Sequence, residues 1–170
     1  MIEFKSALDE TLEGWRGDRE GLIAEVENIP ADKFDFRPAP GVKNVRELIQ
    51  HILEVAMMMT AELTRPDTNF KRAPWPKLLE MYAAPAYQAT TKAQLLALLK
   101  SQMTDAERRF RDAGELALLQ TMERFDGKLG TKYAWLHHGI AQEMYHRGQI
   151  ATYERVMGLE PALTRMIRGG

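Results

Sequence analysis

The chain has 170 residues and no cysteine. That absence removes disulfides, thiolate metal sites and a cysteine nucleophile at once, and it fits a reducing compartment. Serine is nearly as scarce, occurring only at Ser6 and Ser101, so serine-nucleophile chemistry has little to build on. There is no G-x-S-x-G elbow, no Gly-rich phosphate loop and no H-E-x-x-H pair. Neither sign of charge is in excess. The formal net charge is −1, which offers no basic face for nucleic acid or an anionic membrane. No apolar run approaches the ~18 residues that span a bilayer, and the charged, amphipathic stretch Met1–Lys5 lacks a signal-peptide core. The expectation is a soluble, cytoplasmic protein that binds neither nucleic acid nor membrane.

What the chain does have is helical periodicity, over a length that suits one domain spanning residues 1–170. From Ile2 to Asn28, apolar residues recur at Phe4, Leu8, Leu12, Trp15, Leu22 and Val26, and Pro30 closes the run. Gly14, Gly17 and Gly21 each weaken that helix by roughly 1 kcal/mol relative to alanine, and their clustering hints at close packing. A second helix is predicted from Asn44, an N-cap with Glu47 three residues on, to about Thr64 before Pro66. Its stripe is Val45, Leu48, Ile52, Val55, Met59 and Leu63.

Residues Arg65 to Thr90, rich in proline and aromatics, read as a long cover over one end of the fold, with a short helix from about Pro76 to Tyr82. A third long helix runs from about Lys92 to Ala113, closed by Gly114. Glu115–Glu123 reads as a helical turn or two, Phe125–Lys128 as a turn, and Thr131–Gly158 as the fourth long helix. The tail from Leu159 to Gly170 reads as partly ordered at best. No convincing strand emerges. The pattern predicts an all-α protein, a four-helix bundle with a long connection between its second and third long helices.

The polar residues inside these stripes carry the functional question. On the last helix, His146 shares a face with Glu143 and Gln142, three and four residues before it. Burying such groups costs free energy unless they satisfy one another or coordinate something. On the second helix, His51 lies roughly 80° from the centre of the apolar stripe, where it can lean into an interhelical crevice. Glu54 lies at ~140° and reads as solvated. His137 projects away from His146, and His138 sits ~12 Å along the axis from it, so both read as surface or interface residues. Met57, Met58 and Met59 cannot share one face, so the run divides between core and pocket lining. Arg147 reads as a surface or interhelical ion-pair residue and Gly148 as a close-packing position.

Tyr145-His146-Arg147-Gly148-Gln149-Ile150 resembles the hallmark of the DinB-like family of metal-dependent hydrolases. The stretch Phe36-Arg37-Pro38-Ala39-Pro40-Gly41, followed by Val45-Arg46-Glu47-Leu48-Ile49-Gln50-His51-Ile52, resembles the family's other recurring segment. The resemblance implies a four-helix bundle of unusual connection order, often a homodimer. It also implies a divalent ion, commonly nickel or zinc, held by one histidine of the second helix and two of the last. Relatives include thiol-dependent transferases and isomerases. By position the ligands are His51 and His146, but the remaining histidine is replaced by Gln142. An amide oxygen binds transition metals more weakly than imidazole does. Three outcomes stay open: Gln142 as a weak third ligand, Glu143 swinging in to replace it, or a site without metal. Two functions follow. One is an enzyme acting on a small molecule, with Glu143 as general base. The other is a non-catalytic ligand- or partner-binding bundle with a degenerate metal site.

Overall fold

The computed structural model describes residues 5–169, so Ile2–Phe4 of the predicted first helix lie outside the described residues. The four long helices are α1 (Ala7–Asn28), α2 (Val45–Leu63), α4 (Lys92–Ala113) and α6 (Lys132–Val156). Shorter helices are α3 (Trp75–Gln88), α5 (Glu115–Leu118) and α7 (Ala162–Ile167). Each long helix starts on a side-chain cap. Ser6 accepts from the Asp9 amide, and Thr131 from the Ala134 amide. Asn44 with Glu47 and Thr91 with Gln94 form reciprocal capping boxes. α4 ends at Gly114, whose φ of +79° favours glycine.

α1 and α2 follow one another in the chain, yet each packs against both α4 and α6. They therefore sit across the bundle from each other, and simple up-down order is broken. The apolar core lies in two lobes. One contains Leu12, Trp15, Met58, Met103, Phe110 and Trp135. The other contains Leu22, Ile49, Ile52, Leu95, Leu99 and Ile150. Between them along α1, α4 and α6 runs a polar layer of Arg19, Gln102 and Glu143, all buried.

Four sequence expectations need correction. The short helix over 76–82 extends through Pro85 to Gln88, because Leu78, Ala83 and Ala86 bury against α2 and packing outweighs one lost amide. A two-stranded antiparallel hairpin forms, β1 (Thr121–Glu123) against β2 (Leu129–Thr131), where the sequence showed no strand. Three residues are too few for alternation to register. The tail is helical because Glu25, buried on α1, accepts from the Ala162 and Leu163 amides at the start of α7, at 2.5 and 3.2 Å. Of the glycines thought to mark close packing, only Gly21 does so in α1. A Cβ there would collide with the Arg147 guanidinium, whereas Gly14, Gly17 and Gly148 face open space.

Candidate metal centre

The packing of α2 on α6 brings His51 and His146 together, with ring centroids 4.9 Å apart and planes at 80°. Around them the hydrogen bonds fix which nitrogen is free. His51 Nδ1 lies 2.5 Å from Glu54 Oε1, one turn along α2. The other carboxylate oxygen, Glu54 Oε2, accepts the Tyr87 hydroxyl at 2.5 Å. His146 Nδ1 lies 2.7 Å from Gln149 Oε1. A carboxylate and an amide oxygen only accept, so both imidazoles carry their proton on Nδ1. Each Nε2 is left with a lone pair. The Gln142 Nε2 amide meets that of His51 at 3.4 Å.

Burial and these bonds act on the acidity of three of the groups, His146, Glu54 and Tyr87. Burial lowers the pKa of His146, and the nearby His51 and Lys43 add to that, against the opposing bond to Gln149. The ring is therefore neutral at neutral pH. For Glu54, burial pushes the pKa upward, but the bonds from His51 and Tyr87 outweigh it and the net shift is downward. Tyr87 is pushed up to about 12, first by its bond to Glu54 and then by burial. Glu54 thus stays ionised and Tyr87 stays a donor.

A cleft of about 300 Å³ opens beside the two rings, walled by Val55, Met59, Trp75 and Tyr145. His138 borders it as well, edge-on to Trp135 at 4.5 Å, and is exposed, in keeping with its reading as a surface residue. His137 stays outside it, exposed and edge-on to Tyr133. The methionine run divides: Met58 is in the core, Met59 lines this cleft and Met57 lines a separate one between α2, α3 and α4. Gly139 lets α6 close on α2, since a Cβ there would lie 3.2 Å from Met59 Cε.

Of the predicted site residues, His51, Gln142 and His146 come together and Glu143 does not join them. Glu143 is turned into the polar layer, where it accepts from Arg19 Nε and Nη2 at 2.5 and 2.8 Å and from Trp15 Nε1 at 3.0 Å. One residue along a helix is a rotation of ~100°, enough to separate it from the face that Gln142 presents. Among the described residues, no three His, Cys, Asp or Glu side chains converge as metal ligands. Two residues of the site escaped the sequence reading. Glu54, expected to be solvated, is only 6% exposed. Its His-x-x-Glu spacing was the available signal. Tyr87 offered none, lying beyond a proline in a segment without clear period.

The model of the DinB superfamily matches residues 15–150. No curated protein matches the sequence. A DinB-like protein from Bacillus subtilis has a similar crystal structure, with 21% identity, a TM-score of 0.67, and coverage of 88% of this chain and 92% of that one. The mycothiol-dependent maleylpyruvate isomerase is similar at 14% identity and a TM-score of 0.68. That alignment covers 88% of this chain but 63% of the isomerase chain. At such identities the likeness carries the fold alone. The family match takes in both α2 with His51 and α6 with His146, and the chain belongs to the DinB superfamily.

Proposed function

We propose that this protein acts on a small molecule bound in the cleft beside His51 and His146, aided by a divalent transition metal, nickel or zinc. His51 and His146 would hold the ion through Nε2, with the Gln142 side-chain oxygen as a weaker third donor once its amide turns. The donor set fits such an ion: two imidazoles whose Nδ1 is bonded to an acceptor oxygen present Nε2, the kind of nitrogen that borderline metals bind. That pairing of rings, 4.9 Å apart across two helices, is the observation that carries the reading. Bound with an open position, the metal would supply an acidified water or thiolate and a Lewis acid. The apolar walls would hold the substrate and exclude solvent.

Hydrolysis, or transfer to a thiol, is the reaction class we favour. The DinB-like resemblance supports the first, and the mycothiol dependence of a fold neighbour supports the second. In this reading Glu143 holds the polar layer rather than serving as general base. The resemblance extends the proposal to a cytoplasmic homodimer, and sedimentation velocity on the purified protein checks the dimer.

A second reading, a non-catalytic bundle with a degenerate site, is favoured by the missing third ligand of the His, Cys, Asp or Glu type among the described residues. Metal analysis and calorimetric titration of tag-free protein separate the two. Stoichiometric uptake of nickel or zinc, abolished by His51→Ala, supports the enzyme. No uptake by the parent, with tight binding gained in Gln142→His, supports the degenerate site.

A further inference from the structure

The site's least expected feature is its connection to α3. Glu54 is a buried carboxylate, and each of its oxygens has one donor from a different element. His51 Nδ1 on α2 meets Oε1 at 2.5 Å, and the Tyr87 hydroxyl on α3 meets Oε2 at 2.5 Å. Tyr87 itself is 57% exposed, so its ring owes little to burial and its hydroxyl is held by the carboxylate. The bond reaches Glu54 only because α3 continues through Pro85.

We infer that Tyr87 and Glu54 are positioning residues, which hold His51 with its proton on Nδ1 and its Nε2 lone pair facing the cleft. In water a free neutral imidazole prefers its proton on Nε2, so the protein must reverse that preference to present a ligand nitrogen. A carboxylate accepting from Nδ1–H does so, orients the ring and raises the basicity of the other nitrogen. Two donors on Glu54 lock the carboxylate rotamer. The chain Tyr87–Glu54–His51 therefore links the position of α3, which runs along the side of α2, to the quality of the ligand set. The inference rests on the proposed metal site for its purpose but not for its tautomer test.

Two-bond ¹H–¹⁵N correlation spectra of the metal-free protein report the tautomer of each histidine ring. They are recorded about two pH units above the usual imidazole pKa of ~6.5, and His51→Gln identifies the His51 signals. The parent is expected to show His51 protonated on Nδ1. Glu54→Ala is expected to move that proton to Nε2 while the His137 and His138 signals stay in place. Glu54→Gln keeps an acceptor oxygen, so it keeps the tautomer but loses the charge. Nickel affinity, measured by competition with a chromophoric chelator, is expected to fall ~10–100-fold in Glu54→Gln and by less than about tenfold in Tyr87→Phe. A parent His51 protonated on Nε2, or a tautomer indifferent to Glu54→Ala, overturns the inference. A parent that binds no nickel but shows the tautomer switch overturns the proposed function and leaves the positioning role standing.

Discussion

Glu143 and Glu154 lie on the same helix and are both buried, 2% and 0% exposed, yet one has a guanidinium partner and the other a carboxylate neighbour. Glu143 faces the Arg19 guanidinium, itself 1% exposed. Removing one partner of such a pair strands a buried charge. Glu143→Ala is therefore expected to cost about 3–5 kcal/mol in urea unfolding. A general base at the cleft would instead be lost with little effect on stability, so this measurement separates the two roles. Glu154 accepts from Asn28 Nδ2 at 2.6 Å, but its Oε2 is buried without a donor. Burial, reinforced by the neighbouring Glu25 and opposed by Asn28, pushes Glu154 up to about 8. An acid whose folded pKa is raised contributes its full stability below the ordinary value of 4.5 and loses it as pH climbs through about 8. The protein is expected to lose stability across that window, by up to about 1.4 kcal/mol per pH unit from this group. Glu154→Gln, which keeps an acceptor and adds a donor toward Glu25, should flatten the profile. Chemical unfolding at either end of the window measures it.

Among the elements, α1 shows how one residue type can carry two meanings. Gly17 and Gly21 read alike in the sequence, but only Gly21 leaves room for a neighbour, the Arg147 guanidinium. Gly17→Ala is expected to stabilise the protein by roughly 0.5–1 kcal/mol through helix propensity. Gly21→Ala should gain less or lose, because Arg147 must move from its place beside Glu25. Thermal melts of the two variants decide it. The start of α2 was legible in full, since Asn44 and Glu47 form the reciprocal cap that their spacing foretold. Asn44→Ala should cost about 1 kcal/mol. α3 was legible only in part. Pro85 argues locally for an end, and what overrules it is the burial of Ala83 and Ala86 against a helix some 30 residues earlier in the chain. The hairpin from Thr121 to Thr131 was legible only in its turn, Phe125–Lys128 with Gly127 at positive φ, because its strands are three residues each.

For the molecule as a whole, a ligand held between α2 and α6 would clamp two helices that are far apart in sequence. An ion that binds the folded state alone stabilises it by mass action, about 2.7 kcal/mol at a hundredfold excess over Kd. Nickel or zinc is therefore expected to raise the melting temperature of the parent and to leave that of His146→Ala unchanged, as differential scanning fluorimetry would show. The division of the core into two apolar lobes around Arg19, Gln102 and Glu143 belongs to this scale as well. Of these three only Glu143 stands out in the sequence, and that Arg19 and Gln102 share its layer follows from the packing of the helices.

The sequence by itself determined the long helices, the start of α2 and the end of α4, most of the buried faces and, through its two motifs, the superfamily. Those properties rest on contacts between residues three and four apart, which a helix imposes wherever the pattern recurs. The tertiary structure decided which polar groups meet. Glu54 and Tyr87 are 33 residues apart, His51 and Gln142 are 91, and Arg19 and Glu143 are 124. Whether such pairs face each other depends on helix crossing and axial register, which arise only when every side chain of the core is packed at once. That is why Glu143, adjacent to Gln142 in sequence, belongs to the polar layer, and why Glu54, read as solvated, stands behind His51.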